Sequence, residues 1–305
     1  MFADVYKAIQ NPSTRYNSLL ISFGGITCHI ISQDTAFLNT LRTGLGAASR
    51  IGPVRYDIVL QVMSRSEFEA EYLKGTASPN VKRLKSENNY LIKQDIDPFI
   101  AVVNTFTRKV LAKMPRNLRS FESFLNTVFS LVLVEEQALL FDAFAIRQNN
   151  HAEVYFGMPD CGKTVGARLS LARTLITNDK VIIRKHGGRY QAFGVPFAAG
   201  NGGSRAGEPV DIGAVYLLRE GPQNRVEKLG RAKSVVEVFK NALFFSDDSR
   251  LLGNLFRASS QLAEAVPIYR LHFRPDLSFW QLPRENVENA RQQVAAPALP
   301  LEANR

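Results

Sequence analysis

Residues 151–164 read His-Ala-Glu-Val-Tyr-Phe-Gly-Met-Pro-Asp-Cys-Gly-Lys-Thr, a run of β-forming residues that leads directly into a glycine-containing loop. The last eight residues match the pattern G-x-x-x-x-G-K-[ST] of a phosphate-binding loop. Glycines in this pattern let the backbone curl, so that successive N–H groups point inward at an anion. The stretch therefore predicts an α/β arrangement in which a strand, a phosphate-binding loop and a helix follow one another.

Each part of this stretch has a predicted role. Lys163 is expected to reach the β- and γ-phosphates of a nucleotide, and the Thr164 hydroxyl is expected to bind Mg²⁺. Alternation predicts a strand over 151–156, and the apolar spacing predicts a helix over 164–172. The alternative is a glycine turn that happens to precede Lys-Thr. The remaining residues of the predicted cradle are Gly157, Met158, Pro159, Asp160, Cys161 and Gly162.

The bulk properties are those of a globular chain. With 305 residues, 45% of them hydrophobic, the chain can form one large domain or two medium ones. No apolar run reaches the length of a membrane span, and the N-terminus lacks a basic-then-apolar leader pattern. Two cysteines do not make a disulfide framework, and no clustered His/Cys spacing predicts zinc. We therefore expect a cytoplasmic protein that has no membrane partner.

The formal net charge of +10 is compatible with several kinds of anionic partner. The basic residues are scattered along the chain, without a long Lys/Arg block, zinc-finger spacing or a nucleic-acid-binding module. The scattered distribution of the basic residues therefore disfavours a nucleic-acid partner, while the positive net charge slightly favours an acidic acceptor.

The pattern of elements predicts a small N-terminal α+β domain over 1–115, a nucleotide domain over 116–293 and a flexible tail over 294–305. In the first domain we expect a hairpin around Gly24-Gly25, a helix over 35–45 capped by Asp34, a strand over 54–63, an exposed loop over 74–87 and a strand pair over 88–104.

The predicted nucleotide domain begins with a long helix over 117–137, whose apolar stripe is typical of a core. After the phosphate-binding loop we expect a strand, an acidic turn and a second strand over 175–183, a hairpin turn at 187–188, a mobile glycine-rich loop over 194–208, strands over 211–219 and 266–273, and helices over 231–245 and 248–265.

Phosphoryl transfer needs more than a phosphate-binding loop, because metal ligands, an orienting base and cations must also be present. Asp179 follows a strand that we expect to run beside the strand of the loop, where it could hold Mg²⁺ or accept a proton from a hydroxyl. The alternative is that Asn178-Asp179 is a turn that caps two strands. Arg205 lies in the glycine-rich segment and is either a cation that closes over the phosphates or a solvated surface charge.

The order of these motifs resembles the HPr kinase/phosphorylase family and its relatives in the phosphoenolpyruvate carboxykinase-like superfamily. Those kinases carry the same loop and then a strand end of the form L-[IV]-x-D-D-x-V, which reads Leu-Ile-Thr-Asn-Asp-Lys-Val at 175–181 here. The resemblance covers about residues 120–282. It implies an HPr-kinase-like nucleotide domain with a mixed sheet, preceded by a small α+β domain, with ATP and Mg²⁺ as cofactors and with assembly into a homo-oligomer.

The resemblance also implies roles for single residues. It makes Gly157, Gly162, Lys163 and Thr164 the triphosphate and metal cradle, and Asp179 the base that deprotonates an acceptor serine. Asn178 replaces the first acid of the pair, near the metal. An ungapped alignment places Asp142 where the family has a histidine. Asp142 is then either a substitute acid or metal ligand, or a cap between a helix and a strand.

Residues and resemblance together predict an ATP-dependent kinase that transfers the γ-phosphate to a hydroxyl. The acceptor is a serine of a protein or peptide, or a small alcohol. The alternative is a nucleotide-binding module with a degenerate site, which uses ATP as a structural cofactor or as a switch for partner binding. The sequence leaves open whether the donor is ATP, GTP, ADP or pyrophosphate.

Overall fold

The computed structural model describes residues 16–45, 52–72, 80–84, 88–148, 150–157, 174–195 and 208–274. Within these ranges, fifteen strands and five helices form a mixed α/β structure with two mixed sheets. The predicted loop from Met158 to Thr164, the predicted helix over 164–172, Arg205 and the predicted tail lie outside the described residues. None of the helices in the described ranges is long and apolar enough to span a bilayer.

The first sheet has seven strands in the spatial order β1-β2-β3-β7-β6-β5-β4. Its strands are β1 (Asn17–Phe23), β2 (Ile26–Ser32), β3 (Val54–Met63), β4 (Asn80–Arg83), β5 (Asn89–Gln94), β6 (Phe99–Asn104) and β7 (Lys109–Pro115), accompanied by helices α1 (Thr35–Leu45) and α2 (Arg65–Tyr72). β3 is third in this order and pairs in parallel with both β2 and β7. The division of the chain into domains at residue 115 stays a prediction.

Most of the local predictions for this region are confirmed. The hairpin turns at Gly24-Gly25, and α1 begins after Asp34, whose Oδ1 accepts a hydrogen bond of 2.9 Å from the Phe37 amide. The strand over 54–63 and the strand pair within 88–104 are present. The exposed loop predicted over 74–87 is wrong at β4, because that segment pairs with β5 and buries Val81.

Helix α3 (Leu118–Glu135) confirms the long helix and lies between the two sheets. Asn117 caps it by accepting from the Arg119 amide at 3.0 Å. Twelve of its eighteen residues are buried. On one side, the ring of Phe124 packs edge-on against Phe99 of β6, with centroids 5.7 Å apart. The same hydrophobic core also contains Leu140 and Ile182, which belong to the second sheet.

The second sheet contains eight strands. They are β8 (Ala138–Gln148), β9 (His151–Phe156), β10 (Thr174–Thr177), β11 (Lys180–His186), β12 (Arg189–Gly194), β13 (Val210–Glu220), β14 (Arg225–Lys228) and β15 (Ile268–Phe273). Helices α4 (Arg231–Asn241) and α5 (Ser249–Ala265) pack on the face of β8 that carries Phe141 and Ala143. Because β9 pairs with both β8 and β13, strands β8, β11, β12, β13 and β9 close into a ring.

The predicted strands over 151–156, 211–219 and 266–273, the turn at 187–188 and the helix over 248–265 are confirmed. The helix predicted over 231–245 ends earlier, at Asn241. It ends there because Ala242 forms a bridge with Phe141, and the Leu243 amide donates to the Leu140 carbonyl at 2.7 Å. The linker over 242–248 is therefore bound to β8 instead of continuing the helix.

Gly24 joins the first sheet closely to the second. Its φ is +53°, and a Cβ placed on it would lie 2.6 Å from Cγ2 of Ile182 in β11. Gly187 has a similar φ of +58°, but a Cβ there would meet nothing within 4 Å. The two glycines therefore share a backbone requirement, while only Gly24 also has a packing requirement.

We expect Gly24→Ala to lower the free energy of unfolding by about 2–5 kcal/mol, because left-handed backbone strain adds to overpacking. Gly187→Ala is the matched control, and backbone strain alone should lower it by about 1–2 kcal/mol. Urea denaturation followed by circular dichroism measures both. Equal losses in the two variants would contradict the close packing of the Gly24 turn on β11.

Candidate active site

The predicted phosphate-binding loop starts in the middle of the second sheet. Phe156, the last residue of β9, pairs with Ala143 of antiparallel β8 on one side and with Leu217 of parallel β13 on the other. Gly157 follows directly and is buried. The predicted strand before the loop is thus confirmed. The roles of Lys163, Thr164 and the other loop residues beyond Gly157 stay predictions.

Asp142 lies on β8 at the level where this loop begins. Since Phe156 pairs with Ala143 in an antiparallel ladder, the next residue, Gly157, is level with Asp142. On the other edge of β8, Asp142 pairs with Lys180. Neighbouring strands are about 4.8 Å apart, so the backbones of these three residues form a row about 10 Å long. The interpretation of Asp142 as a helix-to-strand cap is wrong, because it lies inside an eleven-residue strand.

Asn178 and Asp179 lie between β10 and β11, and these two strands run in the same direction along one edge of β8. The Ala143 amide donates to the Asp179 carbonyl at 3.0 Å, which continues the ladder between the two strands. The predicted acidic turn is therefore a bend in a continuing strand. The prediction that this strand runs beside β9 is also wrong, because β8 separates the two.

The Asp179 carboxylate is bound by a neighbouring lysine. The Lys180 ammonium donates to both of its oxygens, at 3.0 and 3.1 Å. The Asp179 side chain is 49% exposed, whereas that of Lys180 is 19% exposed. Lys180 therefore directs its ammonium group toward Asp179, while most of its side chain is shielded from solvent.

Asn178 carries an oxygen that needs a partner. Its Oδ1 is buried and accepts no hydrogen bond in the part of the chain that the structure describes. Such an atom costs about 1–3 kcal/mol when it stays unsatisfied. Mg²⁺ prefers oxygen ligands, so the chemistry of this oxygen is compatible with the predicted metal. The described ranges contain no group of three or more His, Cys, Asp or Glu residues arranged to hold a metal ion.

A cavity of about 310 Å³ opens between α3 and the second sheet, and Asp142 and Lys180 both line it. Leu140 and Asp142 lie on the same face of β8, two residues apart, which explains why Asp142 faces α3. The first sheet also contributes to the wall. The lining residues are Gln94 of β5, Ser123, Asn126 and Thr127 of α3, Asp142 and Lys180, and Leu243 and Phe245 of the linker after α4.

Strand pairing explains why the cavity opens at this level. One edge of β8 pairs with β9 down to Ala143. The same edge then receives the linker, through the Phe141–Ala242 bridge and the Leu243 amide. The loop strand and the linker thus meet at the level of Asp142. Gly157 leaves the sheet at that junction, and the linker side chains close one wall of the cavity.

Glu122 of α3 interacts electrostatically with Asp179 and Lys180. Burial raises the pKa of its carboxyl, and the Asp179 carboxylate raises it further, while the Lys180 ammonium partly offsets both effects. The Asp97 carboxylate adds a smaller upward contribution. Glu122 is thus a carboxyl whose ionised form is disfavoured by its position.

Sequence reasoning did not identify several of the lining residues. Ser123, Asn126 and Thr127 had a usable signal, since they place polar groups in a helix that is otherwise apolar and buried. Gln94 and Lys180 had no local signal, because strand pairing and the packing of α3 bring them to the cavity from distant positions.

No protein-family model matches the chain, and no curated protein matches it in sequence. Among solved structures, the chain is similar to the HPr(Ser) kinase/phosphatase from Coxiella burnetii, with 9% identity and a TM-score of 0.28. That likeness covers 52% of this chain and 99% of that chain. At such a TM-score, this likeness assigns no role to any residue of the site.

The raised pKa of Glu122 predicts a dependence of stability on pH. Above the ordinary carboxyl value of 4.5, the folded protein holds the Glu122 proton more tightly than the unfolded chain does. The free energy of unfolding therefore falls as pH rises through that window. Because Glu122→Gln removes this ionisation, we expect the variant to be more stable than the wild type at pH 7.5, with the gain shrinking toward pH 4.

Urea denaturation at the two pH values tests this expectation. Glu71→Gln, at an exposed position of α2, controls for the loss of one surface charge and should shift little at either pH. A gain in Glu122→Gln that is the same at both pH values, or a loss at pH 7.5, would show that burial does not disfavour the Glu122 carboxylate.

Proposed function

We propose that this protein is a kinase that transfers the γ-phosphoryl group of Mg·ATP to a hydroxyl acceptor held in the cavity between α3 and the second sheet. One observation carries the proposal: the predicted phosphate-binding loop begins at Gly157, level with Asp142, and Asp142 lines that cavity. Phosphoryl transfer to a hydroxyl needs a phosphate cradle next to a carboxylate that can receive the proton.

On this proposal, the loop over 157–164 holds the triphosphate, and Lys163 contacts the β- and γ-phosphates. Thr164, Asn178 and Asp179 are the oxygen donors proposed for Mg²⁺. The unsatisfied Oδ1 of Asn178 supports this assignment. When bound, the metal neutralises charge on the phosphates.

Two carboxylates compete for the role of base, and we assign it to Asp142. Asp142 is one of the described residues that line the cavity, and Asp179 is not among them. The acceptor hydroxyl gives its proton to the Asp142 carboxylate while its oxygen bonds to the γ-phosphorus. The bond from that phosphorus to the β,γ-bridging oxygen breaks, and ADP leaves. Asp179 then positions Lys180 and contributes to the metal site.

Three variants test the proposal. Lys163→Ala should abolish calorimetric binding of Mg·ATP without changing the melting temperature.

Asp142→Asn should keep nucleotide affinity and lower the transfer rate by about 10²–10⁴-fold, the usual contribution of a positioned base. Asp179→Asn should instead raise the Mg²⁺ concentration needed for half-maximal transfer. The rates are measured as ADP release that is matched by phosphorylation of the acceptor.

The outcomes separate the alternatives. A wild-type protein that ignores ATP, ADP and GTP would refute the phosphate-binding loop. Tight ATP binding without transfer to any acceptor class would instead favour the degenerate nucleotide-binding module, for which Asn178 in place of an acid is the supporting feature. A 10²-fold loss in Asp179→Asn at saturating Mg²⁺, with a normal rate in Asp142→Asn, would return the role of base to Asp179.

A further inference from the structure

We propose that the acceptor is a small, uncharged, polyhydroxylated molecule of the sugar or polyol class, and that Asn126 of α3 is a specificity-determining residue for it. This inference rests on the proposed kinase function, because it names the acceptor of the same site. Four properties of the cavity support this inference: its polar lining, its preorganisation, its charge and its size.

Neutral hydrogen-bonding groups dominate the wall that α3 and β5 present to the cavity. Ser123, Asn126, Thr127 and Gln94 carry hydroxyls and amides, which both donate and accept. Hydroxyl groups of a ligand also donate and accept, so a polyol can satisfy such a wall at several points. Leu243 and Phe245 supply apolar surface for its C–H groups.

These groups are held in place before any ligand arrives. Gln94 Nε2 donates to the Ile96 carbonyl at 2.7 Å and also to Ser123 Oγ. Thr127 Oγ1 donates to the Ser123 carbonyl at 3.0 Å. Because Ser123 Oγ accepts from Gln94, its own proton remains available for an oxygen in the cavity. Such preorganisation reduces the entropy lost when a small ligand binds.

Asn126 presents an amide side chain to the cavity. It is half-buried in the middle of a helix whose other residues are mostly buried, and it lines the cavity. Its side chain forms no hydrogen bond with any residue in the described ranges. A ligand that enters the cavity can therefore form hydrogen bonds with this amide in place of water. One amide offers two donors and an acceptor, which suits neighbouring hydroxyls on one molecule.

The charge of the lining argues against an anionic acceptor. Lys180 is the one cation among the described lining residues, and its ammonium already binds the Asp179 carboxylate. Asp142 adds a negative charge to the wall. Among the described lining residues, a buried anion would therefore find no free counter-charge, which is costly. The cavity therefore favours a neutral acceptor, although the net charge of the whole chain favours an acidic one.

The size of the cavity favours a small molecule over a polypeptide. About 310 Å³ lies at the lower end of the roughly 300–1,000 Å³ found for small-molecule pockets. A single sugar or polyol matches that scale, whereas a peptide would have to place several residues outside it. The expected products are ADP and a phosphate monoester of the polyol.

The test is to incubate the full chain with Mg·ATP and, separately, glycerol, myo-inositol, D-glucose, L-serine or an acidic serine-containing peptide. Mass spectrometry then detects the gain of one phosphoryl group. We expect transfer to at least one of the three polyols, and none to serine or the peptide. Phosphorylation of serine or of the peptide, with no polyol modified, would overturn the inference.

Binding measurements keep this inference distinguishable from the proposed function. If nothing is phosphorylated, calorimetry with each polyol in the absence of ATP decides the matter. If the wild type binds a polyol and Asn126→Ala weakens that binding, the inferred acceptor class is supported even though the proposed transfer reaction is not. Absence of polyol binding by the wild type would overturn the inference.

Asn126→Ala tests the specificity role in the active protein. We expect it to raise KM for the polyol about 10-fold, through loss of one or two hydrogen bonds, with unchanged affinity for Mg·ATP. Asn126→Ser should recover part of that loss, because it keeps a donor and an acceptor. Ser130→Ala, on the same helix and outside the cavity lining, should leave KM unchanged. An unchanged KM in Asn126→Ala, with a normal melting temperature, would remove Asn126 from this role.

Discussion

Strand β8 pairs along both edges at once, and the geometry of the candidate site depends on that double pairing. On one edge, β9 delivers Gly157 to the level of Asp142, and on the other edge β11 delivers Lys180 to the same level. A shift of β8 by one residue would turn Asp142 away from α3 and present Phe141 or Ala143 to the cavity instead. The buried apolar residues on both faces of β8 oppose such a shift, so packing fixes the position of the carboxylate.

Helix α3 connects the row formed by Gly157, Asp142 and Lys180 to the first sheet. Its middle carries Asn126 and Thr127 to the cavity, while its C-terminus carries Glu135 and Glu136, where acidic groups are disfavoured by the helix dipole. Arginines from other elements offset that effect. Arg250 of α5 pairs with Glu135 at 2.6 Å, and Arg184 of β11 pairs with Glu136 at 3.6 Å. Ion pairs therefore hold the C-terminal end of the helix, while the middle of the helix lines the cavity.

Sequence reasoning succeeded where the signal is local and failed where it depends on pairing. Residues adjacent in sequence are sufficient to predict the helix over 117–137, the Asp34 cap and the strand before Gly157. All three are confirmed. The course of the chain through Asn178-Asp179 is not local. A polar pair between two β-forming runs is compatible with either a chain reversal or a bend. The hydrogen bond from the Ala143 amide to the Asp179 carbonyl shows that the chain bends and does not reverse. Lys180 and Gln94 reach the cavity through such long-range pairing, which no spacing rule reveals.

In the proposed function, the nucleotide and the acceptor meet at Asp142, on the face of β8 that is directed toward α3. A crystal structure of the protein with Mg²⁺ and a non-hydrolysable ATP analogue tests this most directly. We expect the γ-phosphate to lie at the mouth of the cavity, next to the Asp142 carboxylate. A γ-phosphate bound on the opposite face of β8, where α4 and α5 pack, would contradict it.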